Sequence, residues 1–366
     1  MKNKTILIIS TEKWGDNFVS KHHYANYLSE NNTVYFLGPP EGSNKTPIQK
    51  QKITSTQLSD NLTIVEYKNI LPRLNTLPKR IQESTFKKTA KNIEQFIGEK
   101  IDIIWSFDPY RFFNQEVWSA DCKIYHSADI HYNAKYEDEI VRSSHHLFTI
   151  SKHLEEKLPA GTQTNVTGHG TDIASNSKYN AKLPGENKIK AIAIGNFSNY
   201  LDYDLLGKIA DFNLNIDFIF VGPKSKSNLG KTDEAVVAQI EELEKRSNMF
   251  FIGPVHYSQL NDLLSKADIN LTLYKSELRV VNTHKILSYL LSGNVTICSF
   301  ISDYSDADKD LILILEDNND LPKTIKEVAS NLDFWNHSEK KAMRSEYAYE
   351  RNYRQKIQQI TELIEL

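Results

Sequence analysis

Asn282-Thr-His-Lys-Ile-Leu-Ser-Tyr-Leu-Leu-Ser-Gly-Asn-Val-Thr-Ile-Cys298 reads as a helix that stops at a glycine and feeds at once into a buried strand. Asn282 or Thr283 offers an N-cap side chain, Gly293 suits a left-handed stop, and Val295 to Phe300 is a short apolar run. Lys285 falls in the first helical turn, where the helix macrodipole is already positive. A cation there is stabilised when an anion lies between it and the free backbone N–H groups, and phosphate is the usual one. Taken alone, an ordinary helix with a surface lysine accounts for the segment equally well.

The same alternation runs outward in both directions. Upstream lie strands at Lys190–Ile194, Phe218–Val221, Phe250–Ile252 and Ile269–Leu273, the first three each followed directly by glycine. Glycine at the carboxyl end of a strand is where open α/β sheets bind ligands. Lys178 to Lys190, polar and containing Pro184 and Gly185, reads as a linker. Before it comes a first series: strands at Thr5–Ser10, Thr33–Leu37, Asn61–Tyr67, Ile101–Trp105, Cys122–Tyr125 and His146–Ile150. Helices are expected near 18–30, 85–98 and 136–143, and one or two surface helices over 336–366. Alternation of this kind predicts an α/β protein with two mostly parallel sheets covered by helices.

The chain has 366 residues, enough for about two domains of ~100–200 residues each. Hydrophobic residues make up 40% and charged residues 25%, and the formal net charge is -3, so any basic surface must be local. Nothing here suggests a nucleic-acid binder. Cys122 and Cys298 show no metal or redox spacing and fit a reducing cytoplasm. No run of ~18 apolar residues reads as a membrane span. Between 70 and 100, however, Arg73, Lys79, Arg80, Lys87, Lys88, Lys91 and Lys100 outnumber Glu83, Glu94 and Glu99. Leu71, Leu74, Leu77, Ile81 and Phe86 interleave with them. Such a segment can lie on an anionic leaflet or simply form a solvated helix face.

Four places concentrate chemistry. Asn282, Thr283, His284 and Lys285, with Arg279 just upstream, suit a diphosphate. Gly195-Asn196 ends the first strand of the second series and lets backbone approach a phosphate or sugar. Tyr125-His126-Ser127-Ala128-Asp129-Ile130-His131-Tyr132 ends a strand of the first series; Asp129 is a candidate base there, and His126 and His131 are candidate positioning groups. An aspartate capping the next helix explains Asp129 as well. Gly168-His169-Gly170-Thr171-Asp172 calls for unusual backbone angles, and His169 joins the positioning candidates. Asp202-Tyr203-Asp204 has the D-x-D form, but two carboxylates are too few for a hard cation.

Together these residues resemble the GT-B glycosyltransferases. The resemblance spans nearly the whole chain and is strongest at Thr149–Ser151, Gly168–Asp172, Ala191–Gly195 and Lys285–Val295. The last is similar to the family's K-L-x-E-Y-x-x-x-G-x-P-V segment. Tyr125–Tyr132 and Gly168–Asp172 look most like the xanthan-type glucuronosyltransferases of bacteria. The resemblance implies two Rossmann-like domains facing each other across a cleft: 1–177 for the acceptor, 178–345 for the nucleotide sugar, and a C-terminal helix over 346–366 packing back on the first.

It also implies transfer from a UDP- or GDP-sugar to a lipid-linked or cell-surface polysaccharide precursor, without a metal or other cofactor, in the cytoplasm at the inner face of the plasma membrane. Asp129 would be the base of an inverting displacement. The donor would meet Gly195, Asn196, Arg279, Asn282, Thr283, His284 and Lys285, while His126, His131 and His169 would position the reactants. Ser288 stands where many retaining members carry glutamate, Asn294 replaces the proline, and Thr11–Asp16 lacks the glycine-rich first loop. A sugar-nucleotide epimerase and a non-catalytic partner protein on the same fold remain the rival readings.

Overall fold

Short apolar runs become the central strands of two sheets, because a strand buried on both faces leaves no room for polar alternation. The computed structural model describes all residues except 16, 17, 132, 175, 176, 225–233, 276–282, 300, 302, 303, 305–309, 365 and 366. The chain forms two compact units, Met1–Gly168 with Tyr353–Leu366, and His169–Asn352. The boundaries therefore fall at 168/169 and 352/353 rather than at 177/178 and 345/346.

In the first unit, strands β1 (Thr5–Ile9), β2 (Thr33–Leu37), β3 (Ile53–Ser59), β4 (Leu62–Tyr67), β5 (Ile103–Ser106), β6 (Cys122–Ser127), β7 (His146–Thr149) and β8 (Asn165–Val166) lie in the order 3-4-2-1-5-6-7-8. All pairs are parallel except β3 with β4. Helices α1 (Ser20–Leu28), α2 (Lys79–Ile97), α3 (Glu137–Ser143) and α4 (Lys152–Glu155) follow, with α12 (Tyr353–Leu363) at the end of the chain. Ile6 and Ile8 of β1 pack on Tyr24 and Leu28 of α1 and on Tyr353 and Ile360 of α12. Leu7 and Ile9 face the other way, toward Phe86, Ala90 and Ile93 of α2. Tyr353 stacks on His23 at 4.9 Å and Arg354 pairs with Glu30 at 2.7 Å, which ties α12 to α1.

Two elements of this unit differ from the sequence reading. Helix α2 starts at Lys79, because Pro78 supplies a ready N-terminal boundary, and it ends on left-handed Gly98. Strand β3 carries no apolar signal: its residues after Ile53 are exposed, as an edge strand allows.

Arg111 holds the carboxyl ends of the first sheet together. Its guanidinium donates to Asp108 Oδ2 (2.5 Å), the Ser10 carbonyl (2.5 Å), the Gly38 carbonyl (2.7 Å) and Tyr67 Oη (3.1 Å). These partners follow β1, β2 and β5 or end β4, so one buried cation satisfies the backbone of several loops.

In the second unit, β9 (Ile189–Ile194), β10 (Ile216–Val221), β11 (Met249–Ile252), β12 (Ile269–Thr272), β13 (Val295–Ser299) and β14 (Leu313–Leu315) form an all-parallel sheet in the order 11-10-9-12-13-14. Helices α5 (Tyr203–Phe212), α6 (Glu234–Leu243), α7 (Leu260–Ser265), α8 (Lys285–Ser292), α9 (Leu321–Ser330), α10 (Leu332–Trp335) and α11 (Ser338–Tyr349) cover it. Buried Arg344 of α11 donates to the carbonyl of Gly293, at the carboxyl end of α8, at 3.1 Å. The segment expected as a linker packs into this unit instead: Leu183 is buried in its core, and Asp262 binds Lys178 Nζ and the Tyr179 N–H. Asp202 of the D-x-D caps α5 by accepting from the Leu205 N–H at 3.0 Å. No helix among the described residues is long and apolar enough to cross a membrane.

Arg111→Ala leaves the Asp108 carboxylate buried and unpaired, and should cost about 3–5 kcal/mol of stability. Urea denaturation of the purified variant checks this. A loss below about 1 kcal/mol would show that the loops hold without the guanidinium.

Candidate active site

Both sheets reverse their strand order once, and at such a point the connections leave in opposite directions and open a crevice at the carboxyl ends of the strands. In the second sheet the reversal lies between β9 and β12. These strands pair only at Ile269–Ala191 and Asn270–Ile192 and then diverge. The hydroxyl of Tyr289, from α8, spans the gap. It accepts from the Ile194 N–H at 2.8 Å and donates to the Leu271 carbonyl at 3.0 Å.

The same helix delivers Lys285 to this crevice. Its ammonium occupies the space where a side chain at Gly195 would project, so a Cβ there would collide with it. It donates to Tyr274 Oη at 3.2 Å and lies 5.6 Å from the Tyr274 ring centre. Gly195 has φ +143° and Gly222, at the end of β10, has φ +148°; a Cβ on Gly222 would strike the carbonyl oxygen of Gly195. Two glycines thus let neighbouring loops lie flat against each other beneath the lysine. Asn196, half-buried, lines the same recess.

The cap of α8 differs from the expectation. His284 occupies the N-cap position in helical conformation without a side-chain cap, and Thr283 contributes its carbonyl, which accepts from Ile286 N–H at 3.1 Å. Asn282 and Arg279 lie outside the described residues. Gly293 is the left-handed stop, with φ +78°. His169 is buried, and its ring lies 6.0 Å from that of His284, so the Gly-His-Gly loop reaches the first turn of α8. Of its two glycines only Gly168 has positive φ. Asn294, in place of proline, donates to the carbonyls of Leu264 and Ala267 and ties α7 to the start of β13.

In the first sheet the reversal lies between β1 and β5. Instead of a glycine-rich loop, side chains hold the turn after β1. Buried Lys21 pairs with Glu12 at 2.7 Å and donates to Thr11 Oγ1 at 2.9 Å, and Trp14 packs edge-on against Phe36 at 5.0 Å. Nearby, at the end of β6, a pocket of about 170 Å³ is lined by Ser127, Asp129, His131, Glu137 and Lys157. Asp129 is exposed and accepts from the N–H of Ile130 at 2.8 Å; it caps no helix, since α3 begins at Glu137 behind Tyr136. His131 packs edge-on against Tyr110 at 5.4 Å, and burial lowers its pKa while Asp129 pulls it back up.

His126 is placed elsewhere. It has no exposed surface and stacks on Phe107 at 4.9 Å with Tyr24, Trp105 and Phe148 around it, among the rings of the core. Strand alternation decides this: His126 shares a face with Cys122 and Ile124, both in the core.

Three residues escaped the sequence reading. Tyr289 and Tyr274 frame Lys285, and Tyr289 stood in plain view as the polar tip on an otherwise apolar helix face. Glu137 lines the first unit's pocket and accepts from buried Tyr125 Oη at 2.5 Å. Burial raises its carboxyl pKa, although the hydrogen bond from Tyr125 opposes the shift.

No protein-family model matches the chain, and no curated protein sequence matches it. Solved structures do. Sucrose-phosphate synthase from Thermosynechococcus elongatus is 12% identical with a TM-score of 0.72, over 99% of this chain and 98% of that one. The Anabaena protein HepE, solved with UDP and glucose, is 14% identical with a TM-score of 0.67, over 98% and 99%. A trehalose-6-phosphate synthase studied for glycosyl transfer with retention is 12% identical with a TM-score of 0.66, over 99% of each chain. At these identities the likeness is one of fold: two α/β sheets of eight and six strands, matching GT-B glycosyltransferase structures.

The glycine stack makes its own prediction. Gly222→Ala should destabilise the protein by about 1–3 kcal/mol or more, from backbone strain and the clash with Gly195. Gly253→Ala, whose Cβ meets nothing within 4 Å, should be nearly silent. Paired melting curves compare the two, and equal melting temperatures would remove the steric argument.

Proposed function

We propose that this chain is a glycosyltransferase that draws its sugar from a nucleotide-diphosphate donor held on the second unit. The observation that carries the reading is the ammonium of Lys285, set over Gly195 at the point where the strand order reverses and beside the first turn of α8. A group bound there meets a cation, helix N–H dipoles and closely approaching backbone at once. That combination suits a diphosphate, whose negative charge grows as the glycosyl bond breaks. HepE, solved with UDP and glucose, supports uridine diphosphate as the carrier.

The acceptor, a hydroxyl of a glycan or lipid-linked sugar, belongs to the pocket of the first unit. Asp129 takes the proton from that hydroxyl as its oxygen bonds to the anomeric carbon, and the diphosphate leaves with the electron pair of the broken bond. His131 orients the hydroxyl from the same pocket wall. In the second unit His169 and His284 flank the diphosphate, and Asn196 lines its recess. This sequence of events inverts the anomeric centre. Retention is the second reading, favoured by the likeness to a synthase studied for transfer with retention.

A panel of UDP-, GDP- and CMP-sugars should raise the melting temperature for at least one uridine donor, and Lys285→Ala should abolish most of the gain. Asp129→Asn should keep the gain while donor hydrolysis falls by ~10²–10⁴. No gain with any donor overturns the donor site. A first-formed sugar that keeps the donor's anomeric configuration, read by proton NMR, replaces inversion by retention.

A further inference from the structure

The basic segment between 70 and 100 plays no part in the donor site, and the structure shows how its charges are disposed. Helix α2 buries Gln82, Thr85, Phe86, Thr89, Ala90 and Ile93 on one face. Arg80, Lys87 and Lys91, at seven- and four-residue spacings with Lys88 beside them, form one row on the opposite, exposed face. Most of the segment's other charged side chains bind elsewhere. Lys79 pairs with Glu139 at 2.6 Å and Glu83 at 3.8 Å, Lys100 with Asp121 at 2.5 Å, and Glu94 accepts from the Ser119 N–H at 2.7 Å. Among the described residues, none of the four cations in the row has an ion-pair partner. Glu94 lies on the same face and keeps its charge, so a chain of net charge -3 sets four positive charges against one negative on one helix face.

We propose that this face of α2 docks on an anionic lipid bilayer. The row runs ~16 Å along a straight helix and so presents its charges to a plane. The apolar stripe of the helix is consumed by the core, so the contact is electrostatic and the helix does not insert. The charge of the row complements that of an anionic leaflet, which attracts about 1 kcal/mol per basic residue held near it. The inference stands independently of the donor reading.

Co-sedimentation of the full-length protein with vesicles tests it. Phosphatidylcholine mixed with phosphatidylglycerol should carry the protein down, and phosphatidylcholine alone should not. Molar salt should release it, since the screening length falls to ~3 Å at 1 M. Reversing Lys87, Lys88 and Lys91 to glutamate should weaken partition on the order of a hundredfold or more. The same charge change at Lys182, Lys188 and Lys323 should do so far less. Unchanged melting temperature and UDP-sugar response in both triple variants separate this result from misfolding and from failure of the donor site. Three outcomes overturn the proposal: equal partition to neutral vesicles, equal losses in the two triple variants, or row-dependent binding to heparin with none to vesicles.

Discussion

A single phenol hydroxyl decides the geometry of the second unit's crevice. Where β9 and β12 part, each leaves a backbone group without its ladder partner, and a buried unpaired group costs ~1–3 kcal/mol. Tyr289 answers both, accepting from one strand and donating to the other. Because it sits one helical turn beyond Lys285, the bond that closes the divergence also sets the distance from lysine to glycine. Burial pushes its pKa up, which keeps the hydroxyl in the neutral form that can donate and accept together.

The first unit solves the same problem with a different group. There the carboxyl ends of β1, β2 and β5 are gathered by Arg111, a fork of donors aimed at carbonyls and at Asp108. The phenol serves two strands and the guanidinium serves several loops. In both units the crevice is opened by topology, and a buried polar side chain from outside the central strands makes it permanent.

The strands were legible because both faces of a parallel sheet are buried, and runs such as Ile6–Ile9 or Phe218–Val221 leave few other readings. Gly195 and Gly293 were legible too, since positive φ is a local demand of the backbone, and Lys285 stood out as a cation set against the helix dipole. What escaped depends on partners distant in sequence. Strand β3 is held by pairing with β4 and not by burial. The role of Tyr289 exists only once β9 and β12 are neighbours, and that of Glu137 only once Tyr125 lies beneath it. His126 looked like part of a reactive turn because its neighbours in sequence are polar, while its neighbours in space are aromatic rings. Lys178–Lys190 looked loose for a similar reason: Asp262, far along the chain, holds it down.

The seating of α8 has a mechanical consequence. Its far end is pinned, with Arg344 on the Gly293 carbonyl and the backbone of Lys341 packed where a Cβ of Gly293 would go. Its middle is clamped by Tyr289. A helix of eight residues spans ~12 Å, so moving its near end by ~1 Å would require a tilt of ~5° against both restraints. The helix is therefore a rigid mount, and adjustment to whatever lies in the crevice is left to the four-carbon arm of Lys285. Tolerance there is set by the rotamers of one side chain.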